Sequence, residues 1–422
     1  MRGAWSGETT TWIGASGKAV RNAAKVRLRT DCPPSNLYCF GKPSPARLPV
    51  PAATTRTAMG AEAGISSDRT SIWGHARPLL FILRLLFDRA PDLSNSLIGL
   101  PHPWSTGSGV PVCLAPMSGL TDRPFRSMAR KFGASMVVSE MIASDRLVAG
   151  EEEETLKSAN DASGLPFVVQ LAACDPIWIS EAARMAEANG ASAVDINMGC
   201  PAKRVVGGQA GSALMRDLRL ATALIEAAIK AVRIPVSVKM RLGWDHNSRN
   251  AADLARIAED LGAKLVSVHG RTRNQFYQGK ADWSEVGLVV QAVSIPVLVN
   301  GDVEDAASAR TALNRSGAAG LMIGRAAIGQ PWLLGHVRSE LSGSMERPPT
   351  FGEKCNAIRE HLQLSLSAYG AHRGLLRFRK HLASYLKHLG VDAARVSDLC
   401  RADSAEVVLA GIEGFRSEAS FA

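Results

Sequence analysis

The sequence predicts an α/β protein: a (β/α)8 TIM barrel followed by a smaller C-terminal helical domain and preceded by a disordered N-terminal extension. Three observations predict it. From Val110 onward, eight short runs rich in valine recur, nearly continuously apolar, as strands buried on both faces are. Most are separated by stretches with helical spacing and readable ends. Together the units fill roughly 230 residues, the size of such a barrel. A doubly wound sheet is the competing architecture, but no Gly-x-Gly-x-x-Gly turn follows the first run.

The expected strands are 110–117, 135–141, 166–172, 193–199, 235–241, 264–270, 296–301 and 320–325. Asp175 and Pro176 open one helix and Gly190 closes it; Asp122 with Pro124 opens another that ends near Gly133. The barrel is expected over 108–340. Beyond it, 350–422 reads as helical. "GLLRFRKHLASYLKHL" (374–389) sets Leu375, Phe378, Leu382, Tyr385 and Leu389 on one face. Arg373, Arg377, His381 and His388 form a stripe beside that face, which fits either a solvated surface or a surface for phosphates.

The first hundred residues differ in kind. Residues 1–60 hold nine Lys/Arg against two acids, with abundant Ser, Thr, Pro, Gly and Ala and no periodic apolar pattern. Three readings fit: a start read too far upstream, a disordered tail, or a targeting peptide. All three exclude 1–100 from the chemistry.

The net charge of +10 over 422 residues points to an anionic partner, nucleic acid first. Seven cysteines without a Cys-x-x-Cys pair argue against a disulfide framework or a zinc site and favour a reducing, cytoplasmic setting. The most apolar stretch, Pro78–Phe87, is short and broken by Arg84, so no membrane association is expected.

In a barrel, the C-terminal strand ends carry the chemistry. Here those ends hold Met117 and Ser118, Gln170, Asn197 with Cys200, Lys239 and Arg241, His269 and Arg271, Asn300-Gly301-Asp302, and Gly324-Arg325. Singly, each has a bland role in capping a turn or reaching solvent. Convergence on one face is harder to dismiss. Glycines at the ends of strands seven and eight suit a phosphate, to which Arg325 adds a fork of donors. Lys239 and His269 suit an electron-rich ring beside it. Phosphate at one end and donors around a planar group describe flavin mononucleotide. No metal site is expected on this face.

Seven segments, among them "APMSGLTDRPFR" (115–126), "DINMGCPAK" (195–203), "KMRLGW" (239–244), "VHGRTRNQFYQGKADW" (268–283) and "LMIGRAAIGQPW" (321–332), give the chain its resemblance to the tRNA-dihydrouridine synthases, the bacterial B-type branch in particular. It runs from about Val110 to about Leu389. The resemblance implies an oxidoreductase that reduces uridine in tRNA to 5,6-dihydrouridine, with FMN recharged by NADPH, or by NADH. Pro116, Met117 and Ser118 would line the flavin, Gln170 and Lys239 would bond its ring, and His269 would flank it. Asn300, Gly301, Asp302, Gly324 and Arg325 would hold its ribityl phosphate end. Cys200 would be the general acid. Ser118 stands where many relatives have alanine. Asn197 and Arg271 are candidates for the substrate at the barrel mouth, and Arg373, Arg377 and Lys380 for tRNA phosphates. A monomer is expected. The "GGQAG" stretch after Cys200 reads as a mobile lid, and the loop with Phe276 and Tyr277 either stacks on a base or covers the barrel. A flavin barrel acting on a small molecule such as dihydroorotate, and an RNA-binding protein without catalysis, are the alternatives. The basic helices argue against the first, and the intact Cys200, Lys239 and His269 against the second.

Overall fold

The computed structural model describes residues 109–160, 166–344 and 346–420. The N-terminal extension expected over 1–100 lies outside them. Nine strands follow in chain order: β1 (Val112–Leu114), β2 (Met136–Val138), β3 (Ile142–Ala143), β4 (Phe167–Ala172), β5 (Ala193–Met198), β6 (Val236–Arg241), β7 (Leu265–His269), β8 (Val297–Asn300) and β9 (Gly320–Ile323). All pairings are parallel. Eight close a ring, because β1 pairs with both β2 and β9 and β2 pairs with β4. The two-residue β3 pairs with the far end of β4 and stands outside that ring. The sequence did not announce it, since a two-residue strand has no period to read.

Each of the eight expected runs contains one barrel strand. The helix Pro176–Ala188 starts on Asp175, whose carboxylate accepts from the Ile177 N–H, and Gly190 follows it with φ 82°. Arg123–Lys131 starts on Asp122 in the same way, with the Phe125 N–H donating. Alternation along the strands divides the core in two. One set of side chains packs outward against the helices, Val194, Ile196, Val238 and Val266 among them. The other, including Cys113, Met136, Val168, Ala193, Leu265, Leu298 and Met322, fills the lower barrel interior. Burial on both faces is why the strands read as unbroken apolar runs.

Four helices follow the barrel: Phe351–Tyr369, Ala371–His388, Ala393–Arg401 and Ala405–Ser420. Leu375, Phe378, Leu382 and Tyr385 are buried in a second core with Ile358, Leu362 and Ile412. His381 departs from the expected stripe. It is buried at 2% exposure, and its ring stacks on Phe125 of the barrel with centroids 4.7 Å apart. Helical spacing told which face it shares with Arg377, not that the first barrel helix covers that face. Among the described residues no helix is long and apolar enough to cross a membrane.

Candidate active site at the barrel mouth

Strand register stacks polar side chains in two layers above the apolar interior. Gln170 on β4 pairs with Asp195 on β5, and Asp195 with Ser237 on β6. One layer up, Asn197 pairs with Lys239, while His269 on β7 lies between Arg241 and Asn300. Gln170, Asn197, Lys239, Arg241, His269 and Asn300 face a cavity of about 960 Å³, at the upper end of the range for small-molecule sites. Pro116, Met117, Ser118, Gln170, Asn197, Cys200, Lys239, His269, Asn300, Gly301, Asp302, Gly324 and Arg325 all line it. Four candidates do not: Arg271, Arg373, Arg377 and Lys380.

Lys239 Nζ donates to Asn300 Oδ1 at 3.0 Å, and Asn300 Nδ2 donates to the Met322 carbonyl at 2.7 Å. Burial, then the charge of Arg241, lowers Lys239 to about 8. His269 is pushed well below the ordinary histidine range by burial, followed by the charge of Lys239. It is therefore neutral at pH 7. A cation and a neutral imidazole on adjacent strands give one charged and one uncharged donor to the same space.

Glycine is needed at 301, where φ is 115° and a Cβ would meet Ala281 Cβ and His269 Cδ2 at 2.9 Å. At Gly324 a Cβ would sit 3.4 Å from Ala115 Cβ and Met117 Sδ. Both open the cavity at the ends of β8 and β9. Beside them the exposed Arg325 guanidinium shares the Asp302 carboxylate with Arg271.

Cys200 is a free thiol on the opposite rim. Its N–H donates to Asn197 Oδ1 at 2.9 Å, and its carbonyl accepts from Ser212 Oγ at 2.9 Å. Burial pushes the thiol above its ordinary value, so at neutral pH it keeps its proton. Part of the expected lid is structural. Ala210 and Gly211 are buried, and a Cβ at Gly211 would lie 3.2 Å from Cys200 Cβ. Gly211 lets the chain pass close under the thiol, whereas Gly207 and Gln209 face solvent.

Two arginines tie the mouth together. Arg241 Nε donates to the Gly199 carbonyl, and its Nη1 to the carbonyls of Thr272 and Phe276. Arg271, buried at 2% exposure, bonds both oxygens of Asp302 and the carbonyls of Gln278 and Gly279. The loop they hold presents Phe276 and Tyr277 to solvent, at 36% and 54% exposure. Reasoning from the sequence placed Arg241 at a strand end without giving it this task, and took Arg271 for a substrate contact. Arg241 is the last residue of β6 and Arg271 lies two residues past the end of β7, where the next loop offers carbonyls.

In the C-terminal helices, Arg377 Nη2 lies 2.8 Å from both oxygens of Glu153, and Arg373 lies 3.5 Å from Glu152. Lys380 Nζ lies 3.5 Å from the Gly119 carbonyl. His388 reaches the cavity wall. Among the described residues, one group has metal-ligand spacing: Asp122, His361 and His381, whose ligand atoms lie within 4.8 Å of one another. It is buried where the first barrel helix meets the C-terminal helices, and none of the three lines the cavity.

A closed parallel barrel whose C-terminal end gathers a buried lysine, a neutral histidine, a protonated thiol and glycine-lined strand ends defines a barrel enzyme. Residues 113–406 match the family described as Dihydrouridine synthase (Dus). A probable tRNA-dihydrouridine synthase of Rhodobacter capsulatus is 47% identical over 73% of this chain and 95% of its own. Another, from Rhizobium leguminosarum, is 50% identical over 65% of this chain and 85% of its own. tRNA-dihydrouridine synthase B of Pseudomonas aeruginosa is 42% identical over 65% and 83%. The chain belongs to the dihydrouridine synthase family, on its B-type branch.

Proposed function

We propose that this protein reduces uridine in tRNA to 5,6-dihydrouridine, using FMN recharged by NADPH, with Cys200 as general acid. Family membership supports the reaction class and weighs against a small-molecule substrate. The observation that carries the mechanism is the protonated thiol on the cavity rim, facing the wall formed by Lys239, His269 and Arg325.

The residues fit a flavin phosphate ester. The cradle at Gly301 and Gly324 admits backbone to close approach, and Arg325 adds a charge beside it. Pro116, Met117 and Ser118 would line one side of the ring. Lys239 and Gln170 would bond its polar edge and His269 would flank it, while Asn300 and Asp302 hold Lys239 and Arg325 in place. When bound, reduced FMN supplies a hydride to C6 of the uracil. The remaining work falls to the chain's own residues. Arg241 and Arg271 hold the Phe276–Tyr277 loop over the mouth, where an aromatic face can receive an everted base. Asn197 holds the Cys200 backbone, and the Cys200 S–H gives its proton to C5 as that carbon gains electron density. The thiolate left behind is reprotonated from solvent. Arg373 and Lys380 contact tRNA phosphates, Arg377 adds a smaller share because Glu153 already meets its charge, and the protein acts as a cytoplasmic monomer.

Two half-reactions on one variant test this reading. Cys200→Ala retains flavin and is reduced by NADPH at the wild-type rate, since neither step involves C5 of the uracil. Oxidation of the reduced enzyme by tRNA slows by ~10²–10⁴-fold, the usual worth of a general acid. Equal slowing of both halves would make Cys200 a pocket residue, and no slowing of either would make it a packing residue.

A further inference from the structure

Asp195 has no part in the reaction as proposed, yet it is a carboxylate buried at 2% exposure directly beneath the site. A carboxylate buried there must be held by donors, and two hold it. Ser237 Oγ donates to Oδ1 at 2.6 Å and Gln170 Nε2 donates to Oδ2 at 2.7 Å. The bond from Gln170 fixes which end of that amide points down. Its Oε1 therefore points up and accepts from Asn197 Nδ2 at 2.7 Å. Asn197 is in turn left with its Oδ1 toward the next loop, where it accepts from the Gly199 N–H at 3.2 Å and the Cys200 N–H at 2.9 Å.

A carboxamide can sit either way round, because its two ends are nearly the same shape and each can bond. Gln170 and Asn197 by themselves could run the chain in either direction. In the reverse direction Asn197 would present its NH₂ to the Cys200 N–H, donor against donor, and both loop bonds would be lost. Among the three linked side chains, only the carboxylate lacks a donor. Strand register supplies the contacts, since Gln170, Asp195 and Ser237 are neighbours across three strands on the inward face.

We propose that Asp195 is a positioning residue that sets the direction of the Asp195–Gln170–Asn197 hydrogen-bond chain and thereby holds Cys200 on the cavity rim. The catalytic meaning rests on the reading of Cys200 as proton donor; the geometric one does not. Burial pushes the Asp195 carboxyl up, against the bonds from Gln170 and Ser237 and the charge of Lys239.

The test uses the full-length flavin-loaded protein and two readouts. The first is the rate at which iodoacetamide alkylates Cys200, followed on its own peptide by mass spectrometry. The second is the pair of half-reactions. Asp195→Asn gives the chain a residue that both donates and accepts, so position 195 no longer bars the reverse direction, which only the two loop N–H groups then oppose. Alkylation of Cys200 rises about tenfold, the equivalent of one net hydrogen bond lost from its loop. Oxidation by tRNA slows by ~10²-fold, the scale of a misplaced reacting group, while reduction by NADPH is unchanged. Asp195→Asn combined with Gln170→Glu restores the direction one step higher, because the carboxylate introduced on β4 can only accept from Asn197. Alkylation then returns to the wild-type rate, which loss of packing alone would not allow. Should Asp195→Asn fail to fold, Ser237→Ala loosens the same carboxylate and shifts both readouts the same way by a smaller factor. Unchanged alkylation in Asp195→Asn, or in Ser237→Ala where that variant must serve, overturns the proposal; so does a double variant no slower to alkylate than Asp195→Asn. If Cys200→Ala leaves the tRNA half-reaction intact, the proton-donor reading fails while alkylation still decides the role of Asp195.

Discussion

Lys239 shows how a single side chain can be costly to the fold and useful to the site. Its pKa of about 8 records the penalty of burying an ammonium beside Arg241. An unfolded lysine titrates near 10.5, so between about pH 8 and 10.5 the unfolded chain binds a proton the folded one does not. Stability contributed at this position therefore rises with pH across that window. Lys239→Met should raise the melting temperature of the flavin-free protein at pH 7 and remove that rise. The same variant should release flavin on dialysis. Full flavin occupancy in Lys239→Met would remove Lys239 from the ring's surroundings. Much at this scale was legible. Lys239, His269 and Cys200 stand out because strand ends of a barrel are read as a set. Asp195 was missed, though a signal was present: Asp195 and Asn197, two apart in "AVDINM", put two polar side chains on the same inward face of an otherwise apolar strand. What the sequence could not carry is the direction of an amide, which depends on partners from β4 and β6.

Among elements, the seam between the first barrel helix and the C-terminal helices is the place where acid should act. Asp122 caps the barrel helix; His361 and His381 come from the helices Phe351–Tyr369 and Ala371–His388. Burial, then the neighbouring His381, drives His361 well below the ordinary range, and burial drives His381 to about 3. Below pH 6.5 the unfolded chain protonates both rings and the folded chain neither, so stability is lost as pH falls. Asp122 opposes this. Burial raises it to about 6, and between pH 6 and 4 the folded state takes up its proton first. Two histidines against one carboxyl leave a net loss of stability as pH falls through that interval. Thermal melts from pH 7 to 4.5 should show the decline, and His361→Leu with His381→Leu should flatten or invert it. An equally steep decline in that double variant would move the acid sensitivity elsewhere. Barrel strands were legible because two-sided burial leaves an unbroken apolar run, and capped helices because Asp122 and Asp175 precede a first turn with proline. His381 was not, because periodicity assigns a residue to a face and says nothing of what packs there.

For the molecule as a whole, the excess of positive charge has to be divided between holding the fold and holding an anion. Arg377 lies mostly in the first account. It is three-quarters buried and pairs at 2.8 Å with Glu153 on the helix Glu152–Ser158, clasping the C-terminal helices to the barrel. Arg373 is half exposed, with looser contacts to Glu152 and Glu153 at 3.5 and 3.7 Å. Lys380 is exposed and has no carboxylate partner among its described contacts. A phosphate near these three meets one engaged cation and two that can turn toward it. Each phosphate neutralised releases counterions, and the slope of log K against log salt changes by roughly one unit per contact, less for single strands. Arg373→Ala with Lys380→Ala should therefore weaken tRNA binding and flatten its salt dependence by about two units, with melting temperature and reduction by NADPH unchanged. Arg377→Ala should lower the melting temperature and change the salt slope by less than one unit, since its charge is already met by Glu153. Glu153→Gln separates the two accounts further. It keeps the shape of the seam, frees the Arg377 charge, and should steepen the salt slope toward one additional contact. An unaltered slope in Arg373→Ala with Lys380→Ala would assign this face to solvent and send the search for the tRNA surface to Lys203 and Arg204, which stand exposed in the segment after Cys200.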